Sequence, residues 1–221
     1  TLAEVGVTDA TALVKDGDHV KAGTVLIKVA GNARGILLAE RTALNFLGHL
    51  SGIATLTAQW VHAVTGTKTQ IRDTRKTTPG MRVLEKYAVR MGGGTNHRMT
   101  LSDAALIKDN HIAAAGGVVA AFTKVRSHYP DSEIEIEVDT LDQLREVLPQ
   151  KPDLILLDNM SPAQCREAVA IVKAVCKLEA SGGITIDNAR AYAESGVDYI
   201  AIGALTHSAP VFDIGLDLRA E

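Results

Sequence analysis

The sequence predicts an α/β protein built mainly as a parallel β/α barrel, and three observations predict it. From Thr69 onward, short and mostly apolar runs alternate with amphipathic segments. The apolar runs are too short for helices and too continuous for half-exposed strands, as expected for a parallel sheet covered by helices. Charged residues or glycines follow nearly every apolar run. The strand-like runs are 69–73, 104–107, 134–138, 154–157, 177–180 and 199–202, with room for another near 95–98. The helix-like runs between them are 83–91, 118–128, 141–147, 162–175 and 188–195. Such a series points to a β/α barrel or a close relative.

The chain before the barrel reads differently. Residues 12–30 hold two β-rich runs, Leu13-Val14 and Val25 to Val29, around Lys-Asp-Gly-Asp and Lys-Ala-Gly turn signals. This is similar to the strand–turn–strand units of biotinyl and lipoyl carriers. Those need a modifiable Lys at a hairpin tip, and Lys15 and Lys21 stand in the wrong setting, so the unit is structural. Residues 36–65 space apolar side chains three and four apart (Leu37, Leu44, Leu47, Leu56, Trp60, Val64), which predicts helix. Ser51-Gly52 is expected to split it in two, with Ser51 as a cap. Arg41 and Asn45 lie one turn apart on the same face, and a surface ion pair with Glu40 or another acid is the plain reading of Arg41. The chain opens at Thr1 without Met, and an N-terminal piece is expected to precede it.

With 221 residues the chain can bury one good core, or one core and a small satellite domain. Hydrophobic content of 46% and charged content of 22% are ordinary for a globular protein. No apolar run is long enough to span a bilayer and there is no signal-peptide pattern. Cys165 and Cys176 match no metal motif and read as reduced thiols of a cytoplasmic protein. A pI near 6.2 argues against general nucleic-acid binding.

Charge is not spread evenly. Arg72 to Lys108 carries eight Lys or Arg against three acids, in a chain of formal net charge −3. Clustered positive charge focuses the field on an anionic ligand. The residues after each strand sharpen this. Arg75 and Lys76 follow the first, Lys108 the second, Glu137 and then Asp158-Asn159 close the next two, and Ser181-Gly182-Gly183 and Gly203 follow the last two. The carboxyl ends of barrel strands converge on one face, where active sites lie. Arg75, Lys76, Arg98 and Lys108, helped by His97, suit a small polyanion. Glu137 and Asp158 are oxygen ligands suited to Mg²⁺ beside substrate phosphate. The two glycine loops present backbone N–H groups to a phosphate. Together these imply a phosphorylated, metal-bound substrate and a second anionic one.

The segments ERTALN (40–45), DTRKTTPG (73–80), GGGTNHR (92–98), DAALIKDNHI (103–112), EVD (137–139), LLDN (156–159), EASGGI (179–184) and VDYIAIGALTHS (197–208) resemble the quinolinate phosphoribosyltransferase family, in order and over nearly the whole chain. The resemblance implies an incomplete, open seven-stranded β/α barrel (67–207) beside a partial N-terminal α/β sandwich domain (1–66), with 208–221 returning to the latter. It implies transfer of phosphoribose from 5-phosphoribosyl-1-pyrophosphate to quinolinate with decarboxylation, giving nicotinate mononucleotide, pyrophosphate and CO₂ for NAD synthesis. It further implies Mg²⁺ and at least a homodimer. Quinolinate would meet Arg75, His97, Arg98 and Lys108, with Arg41 supplied by the neighbouring subunit. The phosphoribosyl donor would meet Thr74, Lys76, Glu137, Asp158, Ser181, Gly182, Gly183 and Gly203. Lys108, Glu137 and Asp158 would carry the catalysis.

Two other readings remain open at this point. A related transferase acting on nicotinate would need one carboxylate clamp fewer. A non-catalytic phosphoribosyl sensor would bind without releasing pyrophosphate, and the retained acid pair and full cation set argue against it. Other residues read as structural: His111 and His207 as satisfied histidines, Asp139 as a cap for the helix near Thr140, Asn159 as a cap or supporting residue, and Arg82, Lys86 and Arg90 as a solvated face with Glu85 as counter-charge.

Overall fold

The computed structural model describes residues 1–218. A two-stranded antiparallel hairpin, β1 (Asp9–Ala12) and β2 (Ile27–Ala30), precedes α1 (Ala33–Ala63). The barrel part follows as β3 (Gln70–Arg72), α2 (Arg82–Met91), β4 (Ala105–Ile107), α3 (Asp109–Ala115), α4 (Val118–His128), β5 (Ile134–Val138), α5 (Leu141–Val147), β6 (Leu154–Asp158), α6 (Pro162–Val172), β7 (Lys177–Ser181), α7 (Ile186–Ala193), β8 (Tyr199–Ala201) and α8 (Ala204–His207). The six barrel strands form one parallel sheet in the order β3-β8-β7-β6-β5-β4.

The stretch near 95–98 is not a full strand. Thr95 makes a single parallel bridge to Arg72, and the chain then turns away. The sheet therefore curls without closing among the described residues, and a seam lies between this segment and β4. Arg98 spans it by donating from Nη1 to the Ala104 carbonyl, 2.8 Å.

Strand alternation explains the layering. In β5, Ile134, Ile136 and Val138 point to the helices and are fully buried in the main core with Leu144, Val147, Ile155 and Leu157. The alternate residues, Glu135 and Glu137, point into the barrel, opposite Leu154 and Leu156 of β6. Helix starts are set by local chemistry. Thr140 caps α5 by accepting from Gln143 N, while Gln143 Oε1 accepts from Thr140 N. The cap expected at Asp139 thus belongs to Thr140. Ser161 and Gln164 cap α6 in the same way ahead of Pro162. That helix ends at Val172, earlier than the sequence pattern predicts, because Lys173 and Ala174 adopt left-handed conformations.

The expected break at Ser51-Gly52 does not occur: α1 runs unbroken for 31 residues. Gly52 is there for packing. A Cβ at this position would run into the Pro210 carbonyl oxygen, and one at Gly48 would lie 2.8 Å from that of Phe212. The missing side chains let the C-terminal segment lie directly on the helix, where Phe212 N donates to Gly48 O, 3.0 Å. The short helices α3 and α8 are not anticipated by periodicity, being too brief to show it.

Lys86 and Glu85 are also not where amphipathic reading puts them. Both are fully buried. Lys86 pairs with Asp73 at the end of β3 and donates to the His97 carbonyl, 2.9 Å. Glu85 accepts from Thr78 N, 3.0 Å, and lies 2.9 Å from His49 Nε2. Arg82 holds Thr77 Oγ1 and the Met99 carbonyl. This face of α2 clamps the two loops after β3 and after Gly94 into place.

Candidate active site

The carboxyl ends of the strands bring most of the sequence-selected residues together. Lys108, capping α3 just after β4, lies 2.6 Å from Glu137 Oε2 at the end of β5. Lys108 N donates to His111 Nδ1, 2.9 Å, which gives His111 a structural role. Asp158 ends β6 in register with Ser181 of β7. Burial first, and then the like charges of Glu137 and Asp139, hold its carboxyl above the usual range, while Lys108 acts against them. Asn159 adopts a left-handed conformation, with φ 52°. Its Nδ2 donates to Asp158 Oδ2, 2.6 Å, and its N–H to the Ser181 carbonyl, 2.8 Å. Gly182 and Gly183 both have positive φ, and a Cβ on Gly182 would strike the Asn159 side chain. The Ser-Gly-Gly turn is thus packed against the Asp158 loop.

On the β3 side, Thr74 Oγ1 accepts from Lys76 N, 3.1 Å, and the Lys76 carbonyl accepts from Thr206 Oγ1 of α8, 2.7 Å. Gly203 lies under this loop, where a Cβ would approach Lys76 Cδ to 3.1 Å. The final helix therefore fixes the loop that carries Arg75 and Lys76. His207 bonds Ser208 Oγ, 2.7 Å.

Arg75 and Arg98 differ from other cations of the chain. Neither forms an ion pair among the described residues, and each has a buried Nε with no partner. Burial and the neighbouring charge of Arg75 lower the pKa of Arg98. Two like charges held together without a carboxylate of their own are costly unless an anion joins them.

His97 does not add a further cation. Its Nδ1 accepts from Arg98 N, 2.7 Å, so the ring proton belongs on Nε2, which faces Glu135 at 2.8 Å. Burial, the largest cause, pushes its pKa down to about 4. The ring is neutral at ordinary pH and directed into the barrel. Arg41 stands apart as well. It is exposed on α1, outside the barrel, and does not pair with Glu40.

Sequence reading missed the polar group beneath the mouth. Arg72 Nη1 donates to Glu179 Oε2, 2.9 Å, and its guanidinium stacks on Tyr199 at 4.3 Å. His97 Nε2 lies 3.7 Å from Glu179 Oε1 as well as beside Glu135. The alternation Ile-Glu-Ile-Glu-Val in β5 was the available signal, since in a strand it places two carboxylates on one face.

A parallel barrel whose mouth gathers unpaired guanidiniums, a lysine and two carboxylates defines an enzyme class that handles small polyanions. Comparison with known proteins narrows it. Residues 5–51 match the family model of the quinolinate phosphoribosyl transferase N-terminal domain, and residues 53–217 that of the C-terminal domain. The chain is 55% identical to nicotinate-nucleotide pyrophosphorylase [carboxylating] of Mycobacterium leprae, over 93% of this chain and 73% of the relative. It is 46% identical to a probable nicotinate-nucleotide pyrophosphorylase [carboxylating] of Bacillus subtilis, over 92% of this chain and 71% of that one. The crystal structure of nicotinate-nucleotide pyrophosphorylase from Ehrlichia chaffeensis superposes with a TM-score of 0.93 at 45% identity, covering 98% of this chain and 81% of the other. The chain belongs to the quinolinate phosphoribosyl transferase family.

Proposed function

We propose that the protein transfers phosphoribose from 5-phosphoribosyl-1-pyrophosphate to quinolinate and decarboxylates the ring, releasing nicotinate mononucleotide, pyrophosphate and CO₂ for NAD synthesis. The observation that carries this reading is the Arg75–Arg98 pair, each with a buried Nε that has no partner and neither in an ion pair among the described residues. Such a pair suits a dianionic ring acid, because each guanidinium offers a planar fork to a carboxylate. On this reading Lys76, the Ser181–Gly183 turn and Gly203 receive the phosphate groups of the donor. Glu137 and Asp158 face the ribose, where their charges favour the positive centre that develops as pyrophosphate leaves. Orientation and electrostatics then supply most of the rate enhancement. When the ring C–CO₂ bond breaks, its electron pair stays on the ring and takes up a proton; the Lys108 charge favours that state.

Glu137 and Asp158 would also hold Mg²⁺ with the donor's phosphates. The residues fit a hard cation: both offer carboxylate oxygens on adjacent strand ends, and a cation there would relieve the burial and the like charges of Glu137 and Asp139 that raise the Asp158 pKa. The ion would neutralise pyrophosphate charge. Exhaustive chelation is expected to abolish turnover and added Mg²⁺ to restore it, with pyrophosphate release as the readout.

The protein acts as a homodimer in the cytoplasm on this reading. Among the described residues no helix is long and apolar enough to cross a membrane. Leu37, Leu38 and Phe46 are exposed on the same half of α1 as Arg41, an apolar face suited to a second copy. Arg41 would then enter the partner's site. The activity is tested by incubating the pure protein with quinolinate and the phosphoribosyl donor and measuring CO₂ and nicotinate mononucleotide; binding without pyrophosphate release would make it a sensor. The shared site is tested by mixing unfolded Arg41→Ala and Lys108→Ala chains and refolding. Half of randomly assembled dimers are hybrids with one intact site, so about a quarter of wild-type activity should return. Verified reassembly with no recovery would place Arg41 outside the partner's site.

A further inference from the structure

The interior layer of the barrel has no part in the chemistry proposed above. Strand alternation sets it one step below the mouth: Glu137, Asp158 and Ser181 stand at the strand ends, and Glu135 and Glu179 lie beneath them. Glu135 is 3% exposed and Glu179 fully buried. Arg72 attends to Glu179 at 2.9 Å, so that carboxylate has its own cation. The nearest polar neighbour of Glu135 is His97 Nε2, 2.8 Å from its Oε2, and its other oxygen has no hydrogen-bond partner.

The Asn96–Arg98 segment is held by hydrogen bonds more than by packing. On the outer side, His97 N donates to Asp73 Oδ1, 2.8 Å, and the His97 carbonyl accepts from Lys86 Nζ, 2.9 Å. On the inner side, Glu135 Oε2 lies 2.8 Å from Nε2 of the ring. The ring in turn accepts from Arg98 N, 2.7 Å. Beside this segment, at the open seam, is a cavity of about 260 Å³ lined by Asn96, His97, Arg98, Asp103 and Glu135 among others. The unpartnered atoms Glu135 Oε1 and Arg98 Nε belong to residues of this lining. Close packing, which elsewhere fixes side chains, is interrupted at the seam. The placement of Arg98 therefore rests on its own bond to the Ala104 carbonyl, 2.8 Å, and on the polar contacts that hold its backbone.

We propose that Glu135 is a positioning residue for ring-acid binding: its carboxylate fixes the tautomer and orientation of His97, and His97 through the Arg98 N–H sets the guanidinium at the mouth. The inference rests on the assignment of Arg98 to the dicarboxylate made above. A carboxylate acceptor on Nε2–H makes Nδ1 an obligate acceptor, and Nδ1 is the atom that receives Arg98 N. Remove the acceptor and the ring is free to turn or to move its proton to Nδ1, which would set two N–H groups against each other. Loss of a buried hydrogen bond to a charged group changes an equilibrium by about 10- to 100-fold.

The test compares Glu135→Met, which keeps length and loses the acceptor, with Glu135→Gln, which keeps an acceptor oxygen, and with Glu179→Gln in the same layer. The Michaelis constant for each substrate is measured separately. Glu135→Met is expected to raise the constant for quinolinate at least about tenfold and to leave that for the phosphoribosyl donor within about twofold. Glu135→Gln is expected to stay near wild type for both. The same effect in Glu179→Gln, an equal rise for both substrates, no rise in Glu135→Met, or a Glu135→Gln as poor as Glu135→Met would each overturn the proposal. Nitrogen-15 NMR of the His97 ring supplies a readout that does not depend on turnover: a single Nε2–H tautomer in the wild type and Glu135→Gln, and its loss in Glu135→Met. A wild type that turns over no quinolinate would instead refute the proposed reaction, and the tautomer measurement would still decide whether Glu135 holds the ring.

Discussion

Replacing Glu135 by Gln should make the protein more stable at alkaline pH and change little in acid. Arg72, His97, Glu135 and Glu179 share the barrel interior, with Lys86 and Arg98 nearby. Arg72 is the permanent cation in direct contact with Glu179. Burial, the largest cause for each, pushes both carboxyls up to about 7 from an ordinary 4.5, and it pushes His97 down to about 4 from 6.5. Between pH 4.5 and 7 the folded carboxyls therefore hold protons that unfolded ones have lost, so stability falls as pH rises through that window. His97 acts in the opposite sense. Between pH 4 and 6.5 the unfolded ring holds a proton that the folded ring lacks, so its contribution to stability rises with pH. Two carboxyls against one imidazole leave a net of about one proton, and moving one carboxyl from 4.5 to about 7 corresponds to about 3 kcal/mol at pH 8. In Glu135→Gln one carboxyl is set against one imidazole, and most of this slope should vanish. Urea unfolding of both proteins at constant ionic strength should show the variant equal to wild type near pH 4 and more stable by about 3 kcal/mol at pH 8, a gain of roughly 6–12 °C in Tm. A difference that is flat across pH, or that grows toward acid, would refute the reasoning.

Lys86→Met should cost about 3–5 kcal/mol in urea unfolding, because Asp73 keeps its burial and loses its counter-ion. The double variant with Asp73→Asn should recover most of that loss, and failure to recover would mean that Lys86 acts by packing alone. Gly52→Ala should destabilise by about 1–3 kcal/mol through collision with the Pro210 carbonyl, whereas at an uncrowded position of a continuous helix the same change would stabilise by about 1 kcal/mol. Lys108→Ala should leave Tm near wild type and reduce turnover by about two to three orders of magnitude. Near-normal turnover in the folded variant would remove Lys108 from the chemistry.

Much of this protein was legible in order along the chain. The spans of β5, α4 and α5 follow from short apolar runs and helical spacing, since side-chain period depends only on local backbone geometry. The strand-end positions of Lys108, Glu137, Asp158 and Ser181 followed as well, because parallel strands send their ends to one face. What the sequence could not decide were matters of who meets whom. Gly52 reads as a helix breaker until Pro210, distant in the chain, is seen lying on it. Lys86 reads as solvated until Asp73 and the His97 carbonyl surround it. His97 reads as a cation until Arg98 N occupies Nδ1 and Nε2 is seen facing Glu135 in the barrel interior. In each case local sequence determines which face a side chain takes. The charge it carries and the partner it needs depend on desolvation and on groups brought from elsewhere, which exist only once the barrel has folded.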